Sequence, residues 1–391
     1  MPELWPFAAS GRITEVLEAR TDVLQTRASE QRIALRTAPR EIVTLTHRLH
    51  AFEMAQAAEL ARAGFANDWL VPLWHLAAQP TVALAQGSDV VAFNTTHSDF
   101  RAGGQAAIAV DGGPAALVSI TSVSDDALTL AEPMVLQLPE PVVAPSRALV
   151  APVRTGILTT PVEISRRRQG DGTVTATFLL AAPQAGTQSD DPPVVAALAS
   201  ETFLGRPVLT TPSILRQPLA ATLARAVEYI DNSFGPVVVE PVRDVFTRGE
   251  AVTLKSQDAA ARRDLRDFLV GLNGRQQSFW LPSWGRELQL TEPLTSGGIA
   301  MRIRPAAGIA AYASRAIMFE TPSGLACRSI VSAAEDGLEH VLTLSASLGT
   351  AVPVTTLVHF LTLSRSDADR FEIVHGVGAS EVTFPVIEVP A

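Results

Sequence analysis

One stretch that the chain writes twice constrains its architecture more than any other feature. Residues 64–74 read Gly-Phe-Ala-Asn-Asp-Trp-Leu-Val-Pro-Leu-Trp, and residues 274–284 read Gly-Arg-Gln-Gln-Ser-Phe-Trp-Leu-Pro-Ser-Trp. Both fit glycine, four residues, an aromatic, two residues, proline, one residue, tryptophan. The anchors are Gly64, Trp69, Pro72 and Trp74 in one copy and Gly274, Phe279, Pro282 and Trp284 in the other, each pair 274 − 64 = 210 positions apart. The chain has only five tryptophans in 391 residues, so this registration is not accidental. Internal repetition decides architecture and is therefore sought first.

Further pairs follow at nearly the same offset. Val43-Thr44-Leu45 returns as Val252-Thr253-Leu254, 209 positions on, and Ser119-Ile120-Thr121-Ser122 as Ser329-Ile330-Val331-Ser332, 210 on. Leu128-Thr129-Leu130 returns as Leu342-Thr343-Leu344 after 214, which implies a four-residue insertion around residues 335–340. Val162-Glu163-Ile164 matches Phe371-Glu372-Ile373, and Val174-Thr175 matches Val382-Thr383. The period is far too long for a solenoid of short repeats. This collinear series predicts two tandem homologous domains, 1–182 and 196–391. Residues 183–195, rich in Pro, Ser and Asp, are expected to be the linker.

Composition narrows the class. Each half is long enough to bury a core without disulfides or metals. Hydrophobic content of 47% with 18% charged residues describes an ordered chain. A formal net charge of −9 argues against a sequence-independent grip on a phosphate backbone, though not against a surface past which DNA slides. The lone Cys327 excludes a disulfide framework and a cysteine zinc site; in the apolar run 325–330 it reads as a small buried side chain. The opening Met-Pro-Glu-Leu-Trp-Pro lacks a secretion-signal pattern, and no apolar run reaches the ~18–20 residues of a membrane span. A soluble protein made in a cytosol is expected.

Residues 11–30 carry mixed signals, and a short helix or extended arm leading into a strand is expected there. Residues 31–45 alternate as strands interrupted by Pro39. His50–Ala63 reads as a helix stopped by Gly64 as its C′ residue. Its counterpart, 258–272, places Leu265, Phe268, Leu269 and Leu272 on one face. An aromatic strand follows each helix. Short strands punctuated by turns then fill about 80–140 and 288–347, the pattern of an inserted small β-barrel. Two closing strands are expected in each copy, 148–166 with 173–180 and 355–363 with 370–390. The fold class is therefore mainly β (α+β), with one helix per copy.

Enzymatic signals are poor. The chain has no nucleophile elbow, phosphate loop, dinucleotide fingerprint or His-Glu-x-x-His motif. His47, His50 and Glu53 share one predicted helical stretch at ligand spacing, but the second copy has Ser256, Ala259 and Arg262 there, so polar residues at a helix start are the better reading. Asp125-Asp126 and Asp190-Asp191 sit in turn settings, and Arg166-Arg167-Arg168 reads as a solvated strand edge. Trp69, Trp74, Phe279, Trp280 and Trp284 could stack on sugars, but repetition favours packing. A five-residue spacing also points Trp69 and Trp74 to opposite faces of a regular strand. No catalytic, cofactor or metal residues are assigned, and no enzyme activity is expected.

One family does fit the pattern. Thr21-Asp22-Val23-Leu24, Ser29-Glu30-Gln31-Arg32-Ile33-Ala34-Leu35-Arg36 and Pro39-Arg40, then a helix, then Gly64, Trp69, Pro72 and Trp74, resemble the distal tail protein family of siphophages and gene-transfer agents. Glu30, Arg32 and Arg36 carry the family-like motif. The likeness covers roughly 20–75 well and 225–285 more loosely; the Glu-Gln-Arg triplet is replaced in copy two by Phe234-Gly235-Pro236-Val237-Val238-Val239. The resemblance implies a tail-tube-like β-sandwich and a structural, non-enzymatic role, without cofactor, in a tail tip or baseplate. Family members form a six-fold ring that joins the tail tube to the hub around the DNA channel. Two copies per chain imply a homotrimer giving a pseudo-six-fold ring, or else a homohexamer. The partners implied are the tail tube, hub and tape-measure proteins, with DNA only passing through the lumen and no membrane insertion. The implied location is the virion tail tip, assembled in the host bacterial cytoplasm. The rival expectations are a receptor- or carbohydrate-binding tail protein, and a cell-wall hydrolase for which no carboxylate pair stands out.

Overall fold

The computed structural model describes residues 2–111, 113–134, 142–167, 170–181, 198, 201–214, 221–242, 247–321, 323–376 and 378–389. Residues 183–195, expected as the linker and holding Asp190-Asp191, lie outside the described residues, as does Arg168 of the arginine run.

The first half opens with β1 (Glu3–Leu4) and β2 (Ile13–Glu18), then a hairpin of β3 (Thr21–Gln25) and β4 (Glu30–Ala34). The long β5 (Arg40–His50) runs into α1 (Ala51–Gly64), and β6 (Asp68–Pro72) carries the aromatic stretch. Six short strands follow: β7 (Leu84–Ala85), β8 (Val90–Ala92), β9 (Gln105–Val110), β10 (Ala116–Val123), β11 (Ala127–Leu130) and β12 (Val142–Val143). Three strands close the half: β13 (Ala148–Leu158), β14 (Glu163–Arg166) and β15 (Asp171–Leu180).

The second half begins with β16 (Glu201–Phe203), β17 (Arg206–Val208) and β18 (Thr222–Ala224), then the hairpin of β19 (Val227–Ile230) and β20 (Val238–Pro241). Next come β21 (Thr247–Ser256), α2 (Ala259–Leu272) and β22 (Ser278–Pro282). The small unit holds β23 (Ala300–Ile303), β24 (Ala316–Thr321), β25 (Gly324–Asp336) and β26 (Glu339–Leu344). The half closes with β27 (Val358–Ser366), β28 (Arg370–Gly376) and β29 (Ala379–Glu388).

The protein is mainly β, and its strands fall into two repeating patterns. One run pairs β14–β15–β5–β2 and continues β28–β29–β21–β18, antiparallel at every step. The other appears once per half. β1 lies parallel to β6, which pairs onward through β13, β9, β10 and β11 to β8. β17 likewise lies parallel to β22, which pairs onward through β27, β24, β25 and β26 to β23. The irregularities match as well: the register shifts between Ile120 and Ser122 in one half and between Ile330 and Ser332 in the other.

Among the described residues the first half packs two apolar cores and the second three, one of them around Trp280, Met318 and Leu361. Trp5, Trp69 and Phe178 meet edge-to-face beneath α1, with ring centroids 5.5 Å apart for Trp5–Trp69 and for Trp5–Phe178. Phe268 on α2 meets Phe279 at 5.7 Å, and Phe371 meets Phe384 at 5.4 Å. Such pairs add about 0.5–1.5 kcal/mol each beyond burial. The small units have their own cores, around Phe93 and Phe100 and around Tyr312 and Phe319. They share β13 and β27 with the larger sheets, because Ala148, Val150, Val358 and Phe360 face them. Their pairings join the larger sheets through β9 and β24.

Several local expectations need correction. Residues 13–18 are a strand; their helix-like spacing arises because β2 lies between β5 and β28 and buries residues on both faces. The closing region of each half has three strands, because turns split 148–166 and 370–390. Gly64 ends α1 within the helix, followed by Phe65 at φ −56°, so it is not a left-handed stop. In α2 the left-handed cap is Asn273 at φ +48°, with Gly274 next at φ +67°. The two halves are also not separate globules. β2 of the first half is shared with β28 of the second.

Candidate functional site at the junction of the halves

Where β2 is shared, a buried carboxylate sits among cations. β2 lies between β5 and β28 and is buried on both faces, and its Glu15 is 2% exposed. Glu15 Oε1 accepts from Arg266 Nε on α2 at 2.8 Å, and Oε2 accepts from His375 Nε2 on β28 at 3.1 Å. Arg266 Nη2 reaches Glu41 on β5 at 2.5 Å, and Glu41 in turn receives Arg154 Nη1 on β13 at 2.5 Å. Arg154 Nε donates to Asp99 at 2.7 Å, and Arg101 binds the same carboxylate at 2.9 Å. Three carboxylates and three guanidiniums thus alternate from the second half's helix to the first half's small unit.

The protonation states follow from this order. Burial alone would raise Glu15, but the Arg266 charge and then the His375 hydrogen bond hold it well below the usual carboxylate range. Burial likewise opposes the charge on Arg266, and Glu41 and Glu15 outweigh it and push it well above its ordinary value. Asp99 is held low by Arg154 and Arg101 against burial. His75, in the turn after β6, is pushed well below its ordinary value by burial first and then by His375, so it stays neutral. Its ring stacks on that of His375 with centroids 4.6 Å apart, and its Nδ1 has no hydrogen-bond partner among the described residues.

Glu15, His75 and His375 offer three ligand atoms within 4.8 Å of one another, a two-histidine, one-carboxylate set of the kind that holds transition metals. The surroundings do not suit a cation. Arg266 already occupies Glu15, and a second guanidinium, Arg262, is near enough for Glu15 and Asp258 to counter the burial that lowers it below its ordinary value. The second nitrogen of His75 also lacks the acceptor that orients a metal-bound imidazole. The arrangement serves as a charged interlock between the halves.

No protein-family model and no curated protein matches this chain.

The family-like residues lie beside this interlock. Glu30 on β4 accepts from Arg365 Nε at 2.8 Å and Nη2 at 3.3 Å, with both side chains buried. Arg32 lies 3.5 Å from Glu30, and burial, countered by Glu30 and reinforced by Arg365 and Arg206, lowers its guanidinium below the ordinary value. Arg36 Nη1 donates to the Glu18 carbonyl at 3.1 Å. The first hairpin thus docks on β27 of the second half.

The repeat anchors are packing residues. Trp69 is fully buried and its Nε1 donates to the Gly64 carbonyl at 2.9 Å. Trp74 donates to the Phe7 carbonyl at 3.0 Å and lies in the same core as Trp69, not on an opposite face. The strand ends at Pro72 and a 3₁₀ turn redirects the chain. Phe279 is buried in the second core, while Trp284, at φ +51°, leans on His359 with ring centroids 5.5 Å apart. Pro72 and Pro282 end β6 and β22 opposite Val153 and Leu361.

His47, His50 and Glu53 are not brought together as ligands. His47 is on β5 inside the core, accepting from Trp5 Nε1 at 3.0 Å, with its Nδ1 3.0 Å from the Ala8 carbonyl. His50 is exposed at the helix start, where Glu53 accepts its backbone N–H at 2.9 Å. Cys327 is half-buried, and burial together with Glu201 pushes its thiol up to about 11.

Sequence reasoning did not find Glu15, Glu41, His75, Arg266 and His375, which are scattered from position 15 to 375. No spacing or alternation in the sequence marks them as a set.

Proposed function

We propose that this chain is a structural component of the tail tip or baseplate of a siphophage-like particle or gene-transfer agent. It forms a ring between tail tube and hub, around the channel through which DNA passes. One observation supports this reading above the rest: the β14–β15–β5–β2 unit is followed by a β28–β29–β21–β18 unit of the same pairing order, joined through β2 and β28. Each chain then supplies two ring segments, and three chains supply six. The protein acts by assembly, its neighbours being the tail tube, hub and tape-measure proteins, and the charged interlock holds its two segments in fixed register.

The aromatic residues favour this over sugar binding. Trp5, Trp69, Trp74 and Trp280 are buried, which leaves their indole faces no room to stack on a glycan. The decisive experiment is mass measurement of the purified protein, with copy counting in particles by cryo-microscopy. Three or six chains per ring are expected. A stable monomer that binds glycans, and loses them on Trp284→Ala, would overturn the reading.

A further inference from the structure

The eight-strand run has unlike ends. Among the described pairings β14 pairs only with β15, and β18 only with β21. β14 holds in the first half the place that β28 holds in the second, as the outer partner of β15 and β29 respectively. β18 similarly holds the place of β2. The two free ends are therefore related as the two strands that already meet in the middle. We propose that one copy of this chain docks head to tail on a second copy. The β18 edge and the β19–β20 hairpin of one copy would lie on β14 and β13 of the next. This rests on the ring reading above and names its contact surface.

The chemistry of the two faces supports it. Inside the chain the hairpin contact is charged, Glu30 against Arg365. Glu30 opens β4 opposite Gln25, and Val238 opens β20 opposite Ile230. Arg365 stands opposite Ser278 on the neighbouring strand, and Ile157 stands opposite Asp68. At the free ends, then, the acid has become valine and its basic partner isoleucine. Val238 is 53% exposed and Ile157 43%. Both sides of the contact have changed character together, as a surface and its own partner do.

The second hairpin is otherwise hard to explain in water. Phe234 at its tip is 88% exposed, and Tyr229, Val237 and Val239 are exposed beside it. Consecutive valines on a strand point to alternate faces, so each face of β20 carries an exposed valine: Val239 opposite Tyr229 on an apolar face, and Val238 on a face it shares with Glu240. Contiguous apolar surface of this kind marks an interaction site, and unpaired strand edges invite pairing with another chain. Because hairpin and target are different surfaces of one molecule, the contact propagates in one direction and closes only as a ring.

The test follows the charged contact as a template. Full-length protein is weighed by light scattering over a concentration series. The wild type is expected to form a three-chain species. Val238→Glu and Ile157→Arg, each placing one unpaired charge in the contact, should weaken association by about tenfold or more. The double variant should recover most of that loss by recreating the Glu30–Arg365 pair between chains. Val238→Cys with Ile157→Cys, in a Cys327→Ser background, should form disulfides between chains on mild oxidation. Unchanged association in both single variants, or the absence of cross-linked chains, overturns the surface. If the wild type nonetheless forms rings of three or six, the ring reading stands without it. A wild type that stays monomeric defeats both.

Discussion

Two single residues show how local chemistry is spent on packing. A Cβ on Gly64 would lie 2.4 Å from Cζ2 of Trp69, so the glycine is required by the approach of the indole and not by a left-handed backbone. Gly64→Ala should destabilise the protein by roughly 1–3 kcal/mol in urea unfolding, the cost of overpacking a filled core. No loss would mean the ring moves aside freely. His47 is lowered to about 4 by burial, only partly offset by the Ala8 carbonyl. Its unfolded value is about 6.5, so below that pH the unfolded chain binds the extra proton and stability falls as pH drops towards 4. His75 acts in the same direction. From pH 7 to pH 5 His47 alone should cost roughly 2 kcal/mol, read as a lower urea midpoint. A midpoint that does not fall would sink this assignment.

At the scale of elements, β2 matters most because it belongs to both halves. Its Glu15 is stabilised by Arg266 from α2, and that helix presents Leu265, Phe268, Leu269 and Leu272 to the second core. Arg266→Met would leave Glu15 buried without its cation, which costs about 3–5 kcal/mol when a buried pair is broken. The Glu15 contribution is present above the unfolded carboxylate value and fades only as pH falls towards its depressed folded value. A mild effect of Arg266→Met in thermal melting would show that the carboxylate finds solvent or protonates at little cost. Asp258 caps α2 by accepting from the Ala261 N–H at 2.8 Å, and Asp258→Ala should cost about 1 kcal/mol. An unchanged melting midpoint would remove the cap from the account.

On the scale of the whole molecule, strand sharing makes the halves unfold together. The β2–β28 pairing, the Glu15–Arg266 bond and the Glu30–Arg365 pair all cross the junction. Calorimetry should therefore show one cooperative transition for the wild type, and Arg266→Met combined with Glu30→Ala should split it into two. Two transitions in the wild type would mean that the junction is weaker than either core.

Much of the fold was legible in the chain because local rules write it locally. Alternation marks strands such as β15, a 3-4-3 apolar spacing marks α2, and the aromatic pattern of 64–74 recurs in 274–284 in equivalent strands. Residues 13–18 misled because burial on both faces erases strand alternation, and Trp74 because a 3₁₀ turn resets the direction of the chain. The interlock could not be read at all: residues 15, 41, 75, 266 and 375 have no spacing in common, and only the crossing of β2 into the other half brings them within hydrogen-bonding reach. Sequence by itself determined many of the elements and the recurrence of the aromatic pattern, since both depend on neighbours along the chain. Tertiary structure alone decided which half owns β2 and where charge is buried, since those depend on neighbours through space.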